Sequence, residues 1–223
     1  MSESSGHFLL LAGSPKPIEK SGSAARGNAV IEGLEERGWT SEAVHLHTAI
    51  RSKTGTDEMV NAVDRADVIA LAAPLYVDSL PAPTLRALER IAAHCREREH
   101  EHSTRFVSIL VCGFVEPSQN GTCQRLLEQF AARARLEWVG SISLGGGGGN
   151  GFGARRIREA LKLLVEAIDE EILLSPYVDD LIGKPTLPKW LYVFGGNAMW
   201  KKAAKANGVA DRLRAKPYQR PKG

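Results

Sequence analysis

Short apolar runs alternate with stretches of helical periodicity along the first 174 residues. Continuous apolar runs occupy residues 8–12 and 68–73, and largely apolar stretches occupy 105–112, 138–144 and the shorter 43–46. Runs of this length are typical of strands that are buried on both faces of a parallel sheet. The pattern therefore predicts five strands.

Apolar residues recur at helical spacing between and after these strands. Helices are predicted over residues 24–37, 57–65, from about 81, over 121–135 and over 154–174, with Gly38 ending the first. Strands that alternate with helices predict an α/β fold, a three-layer, doubly wound, five-stranded parallel sheet. Ligands bind such sheets beyond the carboxyl ends of the strands, where the strand order reverses.

Composition adds little to this picture but excludes several classes of protein. The chain has 223 residues, a net charge of +3 and three widely spaced cysteines with no C-x-x-C pair. Neither a zinc site nor a cysteine-bound iron–sulfur cluster is supported. No signal peptide and no apolar run of about 20 residues is visible, so we expect a cytoplasmic protein without a membrane span.

The loop after the first strand has the composition of an anion site. It reads Gly13-Ser14-Pro15-Lys16 and then Ser21-Gly22-Ser23 before the first predicted helix. Backbone N–H groups, the positive end of the helix dipole and serine hydroxyls can converge there on a phosphate. The loop is neither a Walker A motif nor Gly-x-Gly-x-x-Gly. An ordinary serine-rich turn remains the alternative.

Three further loops follow the other long strands. In the stretch 74–83, prolines flank Leu75, Tyr76 and Val77, which would be exposed unless the loop folds them into its own core. Gly113 begins the next loop and allows close approach of a ligand. The glycine-rich loop 145–153 is either a backbone wall against a ligand or a floppy surface loop, and we favour the latter.

Histidines offer two candidate metal sites, neither of them strong. His45 and His47 would share one face of the predicted second strand, without a third ligand nearby. His100 and His102 lie in a run of mixed charge that is typical of a solvated helix end. We therefore expect no bound metal.

Three stretches together resemble the flavodoxin-like NAD(P)H-dependent FMN reductase family. They are the first strand with its serine loop, the stretch Ala73-Pro74-Leu75-Tyr76 with Ser79-Leu80-Pro81-Ala82, and Cys112-Gly113. The resemblance covers residues 7 to about 174, and its most specific part is the proline–aromatic loop. Members often carry arginine near the position of Lys16 and Ser-Asn-Thr near the helix start.

The resemblance implies a flavoprotein that binds FMN and uses NAD(P)H as co-substrate. NAD(P)H would pass hydride to the flavin, which would reduce a quinone, a nitro compound, free flavin or another small acceptor. No catalytic side chain is implied; Asp78 and Glu116 either tune the ring or are solvated. The implied phosphate contacts are Ser14, Lys16, Ser21, Gly22 and Ser23, and the implied ring contacts are Pro74, Leu75, Tyr76, Val77, Asp78, Gly113 and Phe114.

Two other functions remain open at this point. One is a flavodoxin-type electron carrier or flavin-binding module without nicotinamide turnover, although a pI of about 8.8 is unusual for a flavodoxin. The other is a scaffold that has lost flavin and uses the fold for protein contacts. The colour of the purified protein and its NADPH oxidation would separate these functions.

The last 49 residues extend beyond the predicted flavodoxin-like domain, residues 7–174. This C-terminal helical extension, residues 175–223, contains Trp190, Phe194 and Trp200 and ends in a basic tail. We expect its apolar residues to pack on the domain or on a partner subunit of a homodimer. The basic tail is expected to be solvated.

Overall fold

The computed structural model describes residues 5–97, 103–148, 153–185, 188–215 and 218. The strands are β1 (His7–Ala12), β2 (Thr40–His45), β3 (Val68–Pro74), β4 (Arg105–Val111) and β5 (Glu137–Leu144). The helices are α1 (Gly22–Glu35), α2 (Leu46–Ala49), α3 (Lys53–Arg65), α4 (Ala82–Glu97), α5 (Gly121–Arg133), α6 (Ala154–Asp169), α7 (Tyr177–Ile182) and α8 (Lys189–Ala206).

The five strands form one parallel sheet in the order β2-β1-β3-β4-β5. Alternate residues of β1 point to opposite faces, and the five from Phe8 to Ala12 are all apolar. Leu9 and Leu11 join a core with α3, α4 and α5, whereas Phe8 and Leu10 join a second core with α1 and α6. The predicted α/β fold, a doubly wound sheet between two helical layers, is confirmed.

Several helices end in the same C-terminal motif. This motif explains why some helices end earlier than predicted. After α6, Glu171 adopts φ 55°, and the N–H of Ile172 donates to the carbonyl of Ala167. These are the features of a Schellman motif. The motif ends α6 at Asp169, five residues before the predicted end at 174. Gly38 ends the α1 region in the same way, as predicted.

Two other boundaries differ from prediction near the second strand. β2 ends at His45 and α2 begins at Leu46, so His47 is helical and does not share a strand face with His45. α3, predicted over 57–65, begins four residues earlier at Lys53. The Ser52 hydroxyl caps α3 by accepting from the Gly55 N–H at 3.0 Å.

A buried arginine anchors the end of α6 to the sheet. Arg105 begins β4 and is 7% exposed. Its guanidinium donates to the carbonyls of Ile168 at 3.1 Å, Ala167 at 3.2 Å and Ile172 at 2.6 Å. Ala167 and Ile168 lie in the last turn of α6 and Ile172 follows it, so the cation also lies at the negative end of the helix dipole.

The chain divides into two compact units, Met1–Thr186 and Leu187–Gly223. α7 belongs to the first unit because Val178 and Ile182 are buried in the core beside β5 and α6. This division differs from the predicted boundary at 174. No helix among the described residues is long and apolar enough to cross a membrane.

The second unit contains α8, a helix of 18 residues. Trp190, Phe194, Met199 and Trp200 are each at least 63% exposed, and apolar residues lie on all its sides. A helix of this kind is normally covered by other apolar groups. That the domain or a partner subunit covers it stays a prediction.

We predict that Arg105→Met lowers the free energy of unfolding by about 3 kcal/mol, because the carbonyls at the end of α6 lose a buried charged donor. Urea denaturation measures this loss. Arg133→Met, at an exposed position of α5, is the matched control and should change stability by less than about 0.5 kcal/mol. Equal effects of the two substitutions would contradict the anchoring role.

Candidate functional site

The carboxyl ends of the inner strands bring the predicted loops to one edge of the sheet. The order of the strands reverses between β1 and β3, which are neighbours. The first residue after a strand donates its N–H to an adjacent strand: Gly13 to Ala72, Leu75 to Val111 and Cys112 to Leu144, each at 2.9 Å. The loops after β1, β3 and β4 therefore begin side by side, as predicted.

The loop after β1 leads through a short 3₁₀ turn, Ile18–Lys20, to the N-terminus of α1. Ser21 is the N-cap; its hydroxyl accepts from the Ala24 N–H at 3.2 Å and lies 3.1 Å from the Ser23 hydroxyl. Both serines are buried. The first N–H groups of the helix, those of Gly22 and Ser23, precede any intrahelical hydrogen bond.

The other predicted phosphate contacts lie at the start of this loop. Ser14 is 3% exposed, and its hydroxyl accepts from the Lys16 N–H at 3.1 Å. Lys16 itself is exposed. The hydroxyls of Ser21 and Ser23 thus come together, while that of Ser14 bonds within its own turn.

Gly13 is required at the start of this loop by a close approach of two elements. A Cβ atom there would lie 2.9 Å from the Cβ of Ala73 and 3.0 Å from the Cγ2 of Thr84. Any side chain would push the loop away from β3 and α4. The glycine therefore keeps the serine loop beside the loop that follows β3.

The loop after β3 is a tight hairpin. The Tyr76 N–H donates to the Ser79 carbonyl at 2.9 Å, and the Ser79 N–H returns a bond of 3.3 Å. Val77 and Asp78 have φ values of 50° and 63°, the signature of a type I′ turn. Val77 is β-branched and 93% exposed, so its left-handed backbone is strained without any packing in compensation.

Exposure in this hairpin corrects one expectation. Tyr76 is 49% exposed and Val77 is also exposed, as predicted, and Asp78 is exposed as well. Leu75, expected to be exposed, is only 7% exposed and packs in the core with α4. Its N–H is held by Val111, which turns the side chain inward. Pro74 ends β3 and is partly buried.

The loops after β4 and β5 are bonded to each other. Gly113 and Phe114 are exposed, Phe114 by 48%. The Phe114 carbonyl accepts from Gly146, and the Cys112 carbonyl accepts from Gly147 at 2.8 Å. The expectation of a floppy glycine loop is therefore wrong for residues 145–148. Residues 149–152 lie outside the described part of the chain.

Four polar side chains at this edge have a role that the sequence does not predict, because they support the loops through hydrogen bonds. They are His45, His47, Thr84 and Asn120. Asn120 is fully buried and donates to the Leu144 carbonyl at 3.2 Å, while no described residue bonds its Oδ1 atom. Thr84 is also fully buried and donates to the Gly13 carbonyl at 2.7 Å. Nothing in their spacing signals these roles, because the partners are backbone atoms distant in sequence.

The titratable groups at this edge show two shifted pKa values. Burial lowers the pKa of His47, with smaller effects from the charges of His45 and Arg51, while a hydrogen bond to the Gly13 backbone opposes them. Burial raises the pKa of the Cys112 thiol. His47 is therefore neutral at pH 7, and Cys112 is a thiol rather than a reactive thiolate.

Metal binding finds no support in the described residues. They contain no group of three or more His, Cys, Asp or Glu side chains that could hold an ion. His45 and His47 bond backbone and hydroxyl groups instead. His100 and His102 lie outside the described residues.

Comparison with known proteins supports the fold. No family model and no curated protein matches the sequence. An NADH:FMN oxidoreductase structure is 14% identical, with a TM-score of 0.58 over 82% of this chain and 97% of that one. An NAD(P)H:quinone oxidoreductase from Methanothermobacter marburgensis is 21% identical, with a TM-score of 0.51 over 74% and 96%.

A third solved structure is similar to the same extent. The Trp repressor binding protein from Bacillus subtilis is 11% identical, with a TM-score of 0.55 over 70% of this chain and 96% of that one. These neighbours, together with the strand order, show that the chain has a flavodoxin-like fold.

The strain at Val77 yields a stability prediction. Val77→Asn should raise the free energy of unfolding by about 1 kcal/mol, because asparagine tolerates the left-handed region. Asp78→Asn, at the neighbouring left-handed residue, should change it by less than about 0.5 kcal/mol, since aspartate already tolerates that region. Urea denaturation without flavin measures both; a loss of stability in Val77→Asn would show that the turn is not strained.

Proposed function

We propose that this protein is an FMN-dependent oxidoreductase, which takes hydride from NAD(P)H and passes electrons to a small acceptor. Quinones, nitro compounds and free flavin are the acceptor classes. The observation that carries the proposal is that an open helix N-terminus and the strained Tyr76–Ser79 hairpin follow neighbouring strands, β1 and β3, at the strand-order reversal of a flavodoxin-like sheet. Solved neighbours include proteins described as quinone, FMN and azo reductases.

The N-terminus of α1 fits a phosphate monoester. A Cβ atom at Gly22 would meet nothing within 4 Å, so a ligand has room to approach the first N–H groups. No acidic residue lies in the first turn to repel it. Ser21 and Ser23 supply hydroxyls, and Lys16 supplies a flexible positive charge nearby in the loop. These residues, with Ser14, would hold the FMN phosphate.

The hairpin and the loop after β4 fit a planar ring. Tyr76 and Phe114 are half-exposed aromatics, and Gly113 is exposed with no atom near its missing Cβ. An isoalloxazine ring would lie against Tyr76, Val77 and Asp78 on the hairpin and against Gly113 and Phe114. Pro74 and Leu75, at the base of the hairpin, would set its position. Bound FMN would supply the redox chemistry itself. The chain's residues would bind it, orient it and exclude water from one face.

The alternative within this fold is an electron carrier without nicotinamide turnover. Steady-state oxidation of NADPH by the FMN-loaded protein, with a quinone as acceptor, distinguishes the two. Turnover supports the reductase; a loaded protein that oxidises neither NADPH nor NADH supports the carrier. A protein that binds no FMN contradicts both.

The phosphate contact is tested by a charge placed in the loop. Ser14→Asp should weaken FMN binding at least about a hundredfold, because a carboxylate would repel the phosphate dianion at short range. Ser14→Asn has nearly the same shape without charge and is the matched control. Flavin fluorescence titration measures both, and circular dichroism checks the fold. Equal FMN affinity in the two variants would place the phosphate elsewhere.

We also propose that the protein is a homodimer to which α8 contributes. Its exposed aromatic and aliphatic residues would each gain about 1.5–3 kcal/mol on burial. A chain that ends at Gly183 should therefore lose dimer mass, melting temperature or solubility. Light scattering after size exclusion and a thermal melt measure this. A shortened chain with unchanged mass state, melting point and flavin affinity would exclude a role for α8.

A further inference from the structure

We propose that His45, His47 and Thr84 form a carbonyl clamp, a set of positioning residues that holds the serine loop in its phosphate-binding shape. The inference rests on the proposed function, because it concerns how the same loop would select a phosphorylated flavin. The clamp approaches the loop from β2, α2 and α4, on the side opposite α1. None of its members needs to touch the ligand.

The first half of the clamp is His45. Its Nε2 atom lies 2.8 Å from the carbonyl oxygen of Ser14. Because a carbonyl oxygen only accepts, Nε2 must carry the proton. The other ring nitrogen, Nδ1, lies 2.7 Å from the Thr48 hydroxyl oxygen, and with the ring proton on Nε2 it accepts from that hydroxyl. The neutral Nε2–H form of His45 therefore satisfies both contacts and aims its donor at the loop.

The second half is Thr84, supported by His47. The Thr84 hydroxyl has one proton and gives it to the Gly13 carbonyl at 2.7 Å. The Nε2 atom of His47 lies 3.4 Å from that hydroxyl oxygen, so this nitrogen must be the donor. Since Thr84 is fully buried, no water competes for its hydroxyl. The lowered pKa of His47 agrees with a neutral ring in this position.

The clamp thus holds two successive carbonyls, those of Gly13 and Ser14, towards β2 and α4. The C=O and N–H of a trans peptide point in opposite directions. Fixing the Gly13 carbonyl towards Thr84 therefore turns the Ser14 N–H away from it. The rings of His45 and His47 stack with centroids 5.8 Å apart, which limits movement of either donor. A loop held in this way loses little entropy when a phosphate binds.

If the clamp positions the phosphate loop, its loss should affect only ligands that carry a phosphate. A role in general stability would affect all flavins equally. Loss of a clamp bond should weaken binding of FMN but not of riboflavin, which has the same ring and no phosphate. His45→Phe keeps an aromatic ring but removes the Nε2–H donor and the Nδ1 acceptor. Thr84→Val keeps the shape of the side chain but removes the hydroxyl. Each should weaken FMN binding roughly three- to thirtyfold and leave riboflavin affinity within about twofold.

Conservative variants provide the rescue. His45→Gln carries an amide donor near the position of Nε2 and should regain most of the FMN affinity lost in His45→Phe. Thr84→Ser keeps the hydroxyl and should do the same for Thr84→Val. His94→Phe is the matched control, because His94 bonds only Asp64 among the described residues, on the outer side of α4. Fluorescence titration of the full chain with FMN and riboflavin measures all these affinities.

The outcomes separate the clamp from the proposed function. Selective loss of FMN affinity with rescue supports the clamp. Unchanged FMN affinity, or equal loss of FMN and riboflavin, in folded His45→Phe overturns the clamp while FMN binding by the wild type stands. Failure of the wild type to bind FMN overturns both. If Thr84→Val does not fold, the comparison of His45→Phe with His45→Gln decides the question.

Discussion

The structure depends on the burial of both faces of its central strands. Every residue of β1 from Phe8 to Ala12 is inaccessible to solvent, and β3 and β4 are almost equally buried. Such strands can be stable only with helices on both faces, and covering both faces requires crossover helices between parallel strands. All the strands then end at the same edge. The position of the loops that carry the candidate site follows directly from this constraint.

This constraint explains why the strands were predictable and the ends of the helices were not. Buried strands are continuous apolar runs, a signal carried by local sequence. Gly38 likewise marks the end of the α1 region, since glycine favours the left-handed residue of a Schellman motif. Arg135 and Glu171 take that conformation after α5 and α6 without any glycine. At Glu171 the helix end is supported by Arg105, a residue from another element.

In the candidate site, too, some features are predictable from local sequence and others depend on contacts between distant residues. The serine loop and the hairpin were predictable because glycine, proline and serine reveal turns locally. The inward turn of Leu75 depends on a bond to Val111, which no local pattern contains. The spacing of His45 and His47 alone suggests a metal pair on one strand face. Their contacts with Ser14 and Thr84 arise only when β2 and α4 are folded against the loop.

The loops at this edge are rigid for different reasons, and the difference bears on function. The serine loop is held by side chains from neighbouring elements, so its shape can be altered by substitutions that leave its own sequence intact. The hairpin is held by two backbone bonds of its own, which keep Val77 in a strained conformation although its side chain packs against nothing. Packing of the Val77 side chain does not account for that strain. The backbone bonds therefore fix the shape of the turn, and the side chain of Val77 does not. A turn of fixed outline beside a serine loop of fixed shape is the arrangement that the proposed binding of a rigid ligand with a charged end requires.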